Sequence, residues 1–137
     1  MKFITKERFE TLMQPMVDHL ENNFDEVDSF DISKEKLLIP CIVHFAVATA
    51  DDALWKQMNY QVLLKMRNTN PTIRLISLKC LTELVKQLGE DFLPLLPETI
   101  PFLSELLEDE EESVEKSCKK SIQEMEKVLG ENLQKYF

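Results

Sequence analysis

An internal repeat limits the possible folds of this chain more than any other feature. When the sequence is shifted by 41 positions, Gly89 falls on Gly130 (130 − 89 = 41). Apolar residues that precede the two glycines coincide as well: Leu88 with Leu129, Leu84 with Met125, Leu81 with Ile122, Ile73 with Val114, Met66 with Leu107, and Val62 with Leu103. A period near 40 with two helices per unit is typical of stacked helical hairpins, in which each unit buries its apolar face against its neighbours.

Apolar periodicity predicts two helices on the N-terminal side of the segment that shows the repeat. The first runs from about residue 5 to 21, with apolar side chains along one stripe. The second runs from about residue 33 to 49 and is apolar on nearly every side, which indicates a helix buried between neighbours. Pro40 lies inside it and is expected to kink it. Residues 22–32 are rich in acidic side chains and are predicted to be a solvated connection.

Start and stop signals delimit four further helices. Asp51 and Asp52 offer an N-cap to the third. The fourth begins at Asn70–Pro71, with Asn70 as cap and the proline in the first helical position, and it ends at Gly89. The fifth is predicted from residue 97 to 107. Acidic residues 108–112 lead into the sixth, where they favour the helix dipole, and Gly130 ends it.

These helices predict an all-α fold, an α-solenoid of about three HEAT-like antiparallel helical hairpins. We expect a single domain over residues 1–137, with units at about 5–49, 52–89 and 91–130. Residues 131–137 then form a capping turn, because the last repeat of a stack must shield its outer apolar face. Leu133, Tyr136 and Phe137 are the candidates for this C-terminal cap.

Composition and motifs argue against catalysis. Only 2 glycines are present, which disfavours phosphate-cradling loops. The sequence contains no GxSxG, HExxH, P-loop or GxGxxG motif. We therefore predict no enzymatic activity, no cofactor and no small-molecule substrate. No apolar run is long enough to span a bilayer, and the start of the chain lacks a secretory apolar region.

The three cysteines predict neither a disulfide framework nor a metal site. Cys41, Cys80 and Cys118 are widely spaced (80 − 41 = 39 and 118 − 80 = 38), whereas zinc sites use closely spaced ligand pairs. An odd number of widely spaced cysteines indicates a reduced, intracellular chain. We interpret all three as small buried core residues, and His44 near Cys41 as a packed residue too.

Several segments carry a family resemblance. Residues 95–109, LLPETIPFLSELLED, show the first-helix pattern of a HEAT repeat. Together with residues 50–56 (ADDALWK), residues 59–61 (NYQ) and residues 128–134 (VLGENLQ) before Tyr136 and Phe137, this chain resembles the C-terminal region of a family of very long nucleolar HEAT-repeat proteins of the small-subunit processome. The resemblance covers nearly the whole sequence.

The resemblance implies a fragment of a longer solenoid, located in the nucleus and nucleolus, that supports pre-ribosomal RNA transcription and processing as a scaffold. It implies other processome proteins as partners within a pre-ribosomal ribonucleoprotein, and it brings no catalytic residues. One departure from the HEAT pattern is Glu115, which stands after Val114 where a basic residue is usual, whereas Arg74 keeps that basic position after Ile73. We expect Arg74, and not Glu115, to join neighbouring repeats.

Three binding hypotheses remain open. The first is a protein scaffold, with Trp55 and Tyr60 as possible anchors, although a core position is the favoured alternative for Trp55. The second is direct RNA contact through basic side chains; Lys116, Lys119 and Lys120 are the densest group, and Lys79, Lys86 and Lys127 complete the set. A formal net charge of -9 disfavours it. The third is a generic HEAT adaptor outside the nucleolus, which only the family resemblance separates from the first.

Overall fold

The computed structural model describes residues 6–21, 38–49 and 51–137, and every regular element in these ranges is helical. The six α-helices of these ranges are α1 (Lys6–Asp18), α2 (Ile39–Thr49), α3 (Asp52–Lys65), α4 (Pro71–Leu88), α5 (Leu96–Leu107) and α6 (Glu112–Leu129). Short 3-10 segments follow α1, α4 and α6, at His19–Glu21, Gly89–Leu95 and Leu133–Tyr136. The predicted connection at residues 22–32 and the predicted start of the second helix lie outside the described residues.

Side-chain caps start α3 and α4 where the sequence predicts them. The Asp51 carboxylate accepts hydrogen bonds from the backbone N–H groups of Ala53 and Leu54, at 2.9 and 3.2 Å. At the start of α4, the Asn70 side chain accepts from the N–H of Thr72 at 2.9 Å, and Pro71 occupies the first turn. These bonds satisfy donors that have no partner within the helix.

Glycines end α4 and α6, the second helices of their hairpins. Gly130, at φ +67°, has the left-handed conformation that commonly ends a helix, and Gly89 also has a positive φ, +55°. Pro40 is the second residue of α2 as described. The residues that precede Leu38 in the predicted helix lie outside the described ranges, so the expected kink stays a prediction.

The helices pack in two layers. The first helices of the hairpins, α1, α3 and α5, contact one another in chain order, and so do the second helices, α2, α4 and α6. Contacts within each hairpin join the layers, α1 with α2, α3 with α4, and α5 with α6. This side-by-side order confirms the predicted all-α solenoid. The exact division into three units and a capping turn stays a prediction.

One apolar core runs along the stack. It begins at α1 with Phe9, which stacks on Phe45 of α2 at a ring-centroid distance of 5.4 Å, and it extends to Leu133 after α6. The repeat-equivalent pairs Leu81 with Ile122 and Leu84 with Met125 are all 2% exposed or less. Each such side chain stabilises the fold by about 1.5–3 kcal/mol relative to exposure. The repeat in the sequence is therefore a repeat of core positions.

The cysteines do not share one environment. Cys80 and Cys118 are buried, and burial raises the pKa of both thiols to about 12, so they stay protonated and unreactive. Cys41 is exposed, and so is His44, so the core interpretation of these two residues is wrong. The gaps between successive cysteines fall short of the repeat period, and the three thiols therefore do not occupy equivalent positions in the hairpins.

Candidate interaction surfaces

A polar ladder joins the three hairpins near the ends of their first helices. It consists of Asp18, Glu21, Lys65, Asn68, Arg74 and Asp109. Its first step links α3 to the end of α1. Lys65 Nζ lies 2.7 Å from Asp18 Oδ1 and also donates to Glu21, while Asn68 Nδ2 donates to Glu21 Oε2 at 3.2 Å. Partial burial opposes the charge of Asp18, but hydrogen bonds from Lys65 and Gln14 outweigh it and lower the pKa of that carboxyl.

The second step of the polar ladder is Arg74, which is 9% exposed. Its Nη1 donates to the backbone oxygens of Asn68 and Thr69 at 2.9 and 3.1 Å, and its Nη2 donates to Asp109 Oδ1 at 3.0 Å. One guanidinium thus holds the turn of its own hairpin and the turn of the next. This confirms the expectation for Arg74. Glu115, its repeat equivalent, lies 3.6 Å from Lys119 of the same helix.

The two hairpin turns have the same local geometry. Asn68 Oδ1 accepts from the N–H of Asn70 at 2.8 Å, and Asp109 Oδ1 accepts from the N–H of Glu111 at 2.9 Å. The pairs are related by the sequence period (109 − 68 = 41 and 111 − 70 = 41). A short side chain that folds back on the backbone two residues later is a general turn former. Asp109 adds a charge that Asn68 lacks, and this charge is what Arg74 binds.

The two predicted aromatic anchors have opposite environments. Trp55 is 9% exposed, and its Nε1–H donates to the Ala46 carbonyl of α2 at 2.6 Å. The hypothesis that Trp55 is a surface anchor is therefore wrong. The favoured alternative, a core position, is confirmed, because the indole is buried and its N–H group is hydrogen-bonded within the stack. Tyr60 is 44% exposed and meets Phe102 of α5 edge to face at 6.4 Å. It stays a candidate on the first-helix layer.

The predicted basic residues lie on α6, in the other layer, so the structure does not bring them together with Tyr60. Lys116 lies 2.8 Å from Glu112, one turn earlier in the helix, and Lys119 is likewise paired with Glu115. Lys120 is exposed, and no carboxylate of the described residues forms an ion pair with it. Two of the three predicted cations are thus partly neutralised by their own helix.

Only one of the three predicted capping residues is buried. Leu133 is 0% exposed, and its N–H donates to Glu126 Oε2 at 2.8 Å. Tyr136 and Phe137 are 47% and 40% exposed, and their capping role stays a prediction. Tyr136 lines a surface cleft with apolar residues of α5, among them Leu96, Pro97 and Ile100.

A groove crosses the layer of second helices, and the sequence analysis did not identify it. Its walls include Pro40, Val43 and His44 of α2, Lys79 and Lys86 of α4, and Glu124 of α6. Lys86 Nζ lies 3.0 Å from Glu124 Oε1 and 3.2 Å from Glu83 Oε2, and these bonds raise the pKa of Lys86. We call this feature the second-helix groove.

The sequence period could have located this groove. Lys79, Glu83 and Lys86 of α4 recur one period later as Lys120, Glu124 and Lys127 of α6 (120 − 79 = 41, 124 − 83 = 41 and 127 − 86 = 41). A charged pattern that repeats at the structural period marks the outer stripe of successive second helices, just as the apolar pattern marks the inner one.

Two other kinds of site were sought in the described ranges. No group of three or more His, Cys, Asp or Glu side chains in residues 6–21, 38–49 and 51–137 is placed to hold a metal ion. None of the helices in these ranges combines the length and the hydropathy needed to cross a membrane.

Comparison with known proteins places these features in a family context. No family model matches the chain. It is 53% identical to HEAT repeat-containing protein 1 of Homo sapiens and 50% identical to that of Danio rerio, in both cases over 98% of this chain. It is also 41% identical, over 69% of its length, to U3 small nucleolar RNA-associated protein 10 of Aspergillus oryzae. The chain spans about 6% of the length of each of these relatives.

Proposed function

The chain belongs to the family of HEAT repeat-containing protein 1, and on this premise we propose that it is a non-catalytic scaffold of ribosome biogenesis. The observation that carries the proposal is 53% identity across 98% of the chain, combined with a stack of helical hairpins. A relative with 41% identity is described as associated with U3 small nucleolar RNA, which supports a role in processing pre-ribosomal RNA. The partners proposed are other proteins of the small-subunit processome, and the proposed location is the nucleolus.

The architecture suits a rigid binding module. Successive hairpins share one core, and the polar ladder fixes their turns through Lys65 and Arg74, so the two outer layers keep a defined geometry. A surface that is already ordered loses little conformational entropy when it binds a partner. The exposed Tyr60 on one layer and the second-helix groove on the other are separate surfaces, and a scaffold can use both at once.

Direct RNA contact receives less support. Of the six lysines considered for it, Lys86, Lys116 and Lys119 each have a carboxylate within 3.6 Å. Phosphate groups would have to compete with these carboxylates while approaching a chain of formal net charge -9. We therefore propose protein partners as the main ligands of this part of the family's solenoid.

The test is affinity purification of the tagged chain from nucleolar extract after mild cross-linking. We expect U3-containing particles and ribosome-assembly proteins to be enriched over a tagged, unrelated helical-repeat chain of similar size. Partners drawn only from transport or signalling complexes would contradict the proposal and support the adaptor alternative outside the nucleolus. Recovery of RNA that is cross-linked to the tagged chain itself, after the other proteins are removed under denaturing conditions, would support direct RNA contact instead.

A further inference from the structure

The lysines of the second-helix layer stand out in this acidic chain. Almost every described base forms an ion pair or another contact within the chain. Lys56, Lys120 and Lys127 are exposed, and no ion pair within the described ranges includes them. Lys120 and Lys127 are seven residues apart on α6, so they lie on the same helix face about 10 Å apart. Lys56 lies on α3, in the other layer.

Glu124 lies between these two lysines on α6, and its ion pair is with the neighbouring helix. Lys86 of α4 lies 3.0 Å from the Glu124 carboxylate and 3.2 Å from that of Glu83, so its charge is shared between the two. The outer stripe of α4 and α6 carries four lysines, Lys79, Lys86, Lys120 and Lys127, against Glu83 and Glu124. This stripe therefore has a formal charge of +2 within a chain whose net charge is -9.

The opposite end of the second-helix groove is apolar. Ile39, Pro40 and Val43 of α2 line it. Val47, one turn further on the same face as Pro40 and His44, is 47% exposed. An aliphatic side chain from a partner would remove this apolar surface from water at a gain of about 25 cal/mol per Å².

We propose that an acidic segment of a partner protein binds in extended form along the second-helix groove and across the adjoining outer face of α6. The segment places an aliphatic residue against Pro40, Val43 and Val47. Its carboxylates face Lys120 and Lys127, which lie beside the groove, one helical turn before and after the wall residue Glu124. The groove crosses three neighbouring helices at about 8–10 Å spacing, so it spans about 20 Å, the length of about six extended residues. This inference deepens the proposed scaffold function by naming the surface and the chemistry of the partner.

Two observations favour an acidic peptide over RNA in this groove. Sequence-tolerant binding of single-stranded RNA uses aromatic side chains on which bases stack, and the described lining of the groove offers only the imidazole of His44, with no Phe, Tyr or Trp. RNA binding also needs a longer track of cations than two unpaired lysines beside two glutamates. A short peptide needs only two or three carboxylates and one apolar anchor.

The test uses the purified chain and a fluorescein-labelled peptide of about ten residues with two leucines at one end and four glutamates at the other. Binding is followed by fluorescence anisotropy at low and high salt. We expect saturable binding that weakens with salt, and a loss of affinity on the order of tenfold in the Lys120→Glu/Lys127→Glu variant. The Lys120→Gln/Lys127→Gln variant removes the charges without adding like-charge repulsion and should show a smaller loss.

Lys56→Glu is the matched control, because it reverses an equally exposed and unpaired lysine in the other layer and should leave affinity within about twofold. Val47→Asp should weaken peptide binding at the apolar end of the groove, and circular dichroism of each variant checks that it is folded.

Equal losses of peptide affinity in the Lys56 and Lys120/Lys127 variants would overturn the proposal, and so would absence of peptide binding. Tighter, lysine-dependent binding of a single-stranded RNA of equal length would overturn it in favour of RNA. Because the purified chain needs no ribosomal particle, these outcomes are independent of the purification from nucleolar extract.

Discussion

At the residue scale, the polar ladder shows how single side chains couple hairpins that are far apart in sequence. Arg74 is nearly buried and serves two turns, whereas Arg67 forms an exposed pair with Glu105, in which both side chains are 49% exposed. Arg67 and Arg74 therefore carry the same charge in different dielectric surroundings. Loss of a buried charge partner leaves the other group without compensation, while an exposed pair is replaced by water at little cost.

We expect Arg74→Met to reduce the free energy of unfolding by about 3 kcal/mol, because Asp109 and two turn carbonyls would lose their donor. Arg67→Met is the matched control and should reduce it by less than about 1 kcal/mol. Urea unfolding followed by Trp55 fluorescence measures both. Equal effects of the two variants would show that Arg74 contributes no more than a surface ion pair.

The contribution of Asp18 should depend on pH. The pKa of this carboxyl is lower in the folded chain than in the unfolded one, so its pairing with Lys65 stabilises the fold above the unfolded value, 3.8, and is lost as the pH falls through the folded value. Asp18→Asn should therefore lower stability at pH 7, by less than about 1 kcal/mol because the side chain is 45% exposed. The difference from the unmodified chain should vanish near pH 2. A difference that stays constant between pH 7 and pH 2 would exclude this linkage.

At the element scale, local signals in the sequence located the helix ends well. Helix caps depend only on residues close by in the sequence, so they can be predicted without the rest of the fold. This holds for Asp51, Asn70, Gly89 and Gly130. Exposure could not be predicted in the same way. Trp55 and Tyr60 are five residues apart on one helix, and the sequence does not show which of them is buried. That difference arises from tertiary packing, in which Trp55 bonds to Ala46 of α2 while Tyr60 meets Phe102 of α5 only by its edge. The same is true of Cys41, whose spacing suggested the core.

The two helix-ending glycines should differ in their response to substitution. A Cβ at either position would meet nothing within 4 Å, so only backbone conformation decides the effect. Gly130 is in the left-handed helical region, where Ala costs about 1 kcal/mol and Asn costs less. Gly89, at φ 55° and ψ -130°, lies in a region essentially reserved for glycine.

We therefore expect Gly89→Ala to lower the melting temperature more than Gly130→Ala, and Gly130→Asn to have little effect. Differential scanning calorimetry of the three variants provides the comparison. A larger decrease in melting temperature for Gly130→Ala than for Gly89→Ala would contradict the conclusion that the backbone at Gly89 is the more restricted to glycine.

At the scale of the whole molecule, the account depends on hairpins that stabilise one another. The repeat period predicted this stack, because equivalent apolar positions imply equivalent neighbours. The pattern of the repeat predicted the link that Arg74 makes between hairpins. The ion pair between Lys65 and Asp18 could not be predicted, since the two residues are 47 positions apart and meet only after the first helices have packed. For the second-helix groove, the sequence period marks the charged stripe on α4 and α6, whereas the contribution of α2 to its walls depends on packing. The period predicts the order of the stack, and tertiary packing decides what its surfaces present.

Native-state hydrogen exchange in a Leu81→Ala variant tests this mutual stabilisation most directly. Leu81 is fully buried in α4, and its truncation should destabilise the fold by about 2–5 kcal/mol. We predict that amide exchange accelerates in α6 together with α4, because the two helices share an interface, whereas Leu12→Ala, at a 49% exposed position, leaves both unchanged. Faster exchange in α4 with unchanged protection in α6 would show that the hairpins are stable on their own, and would contradict the account.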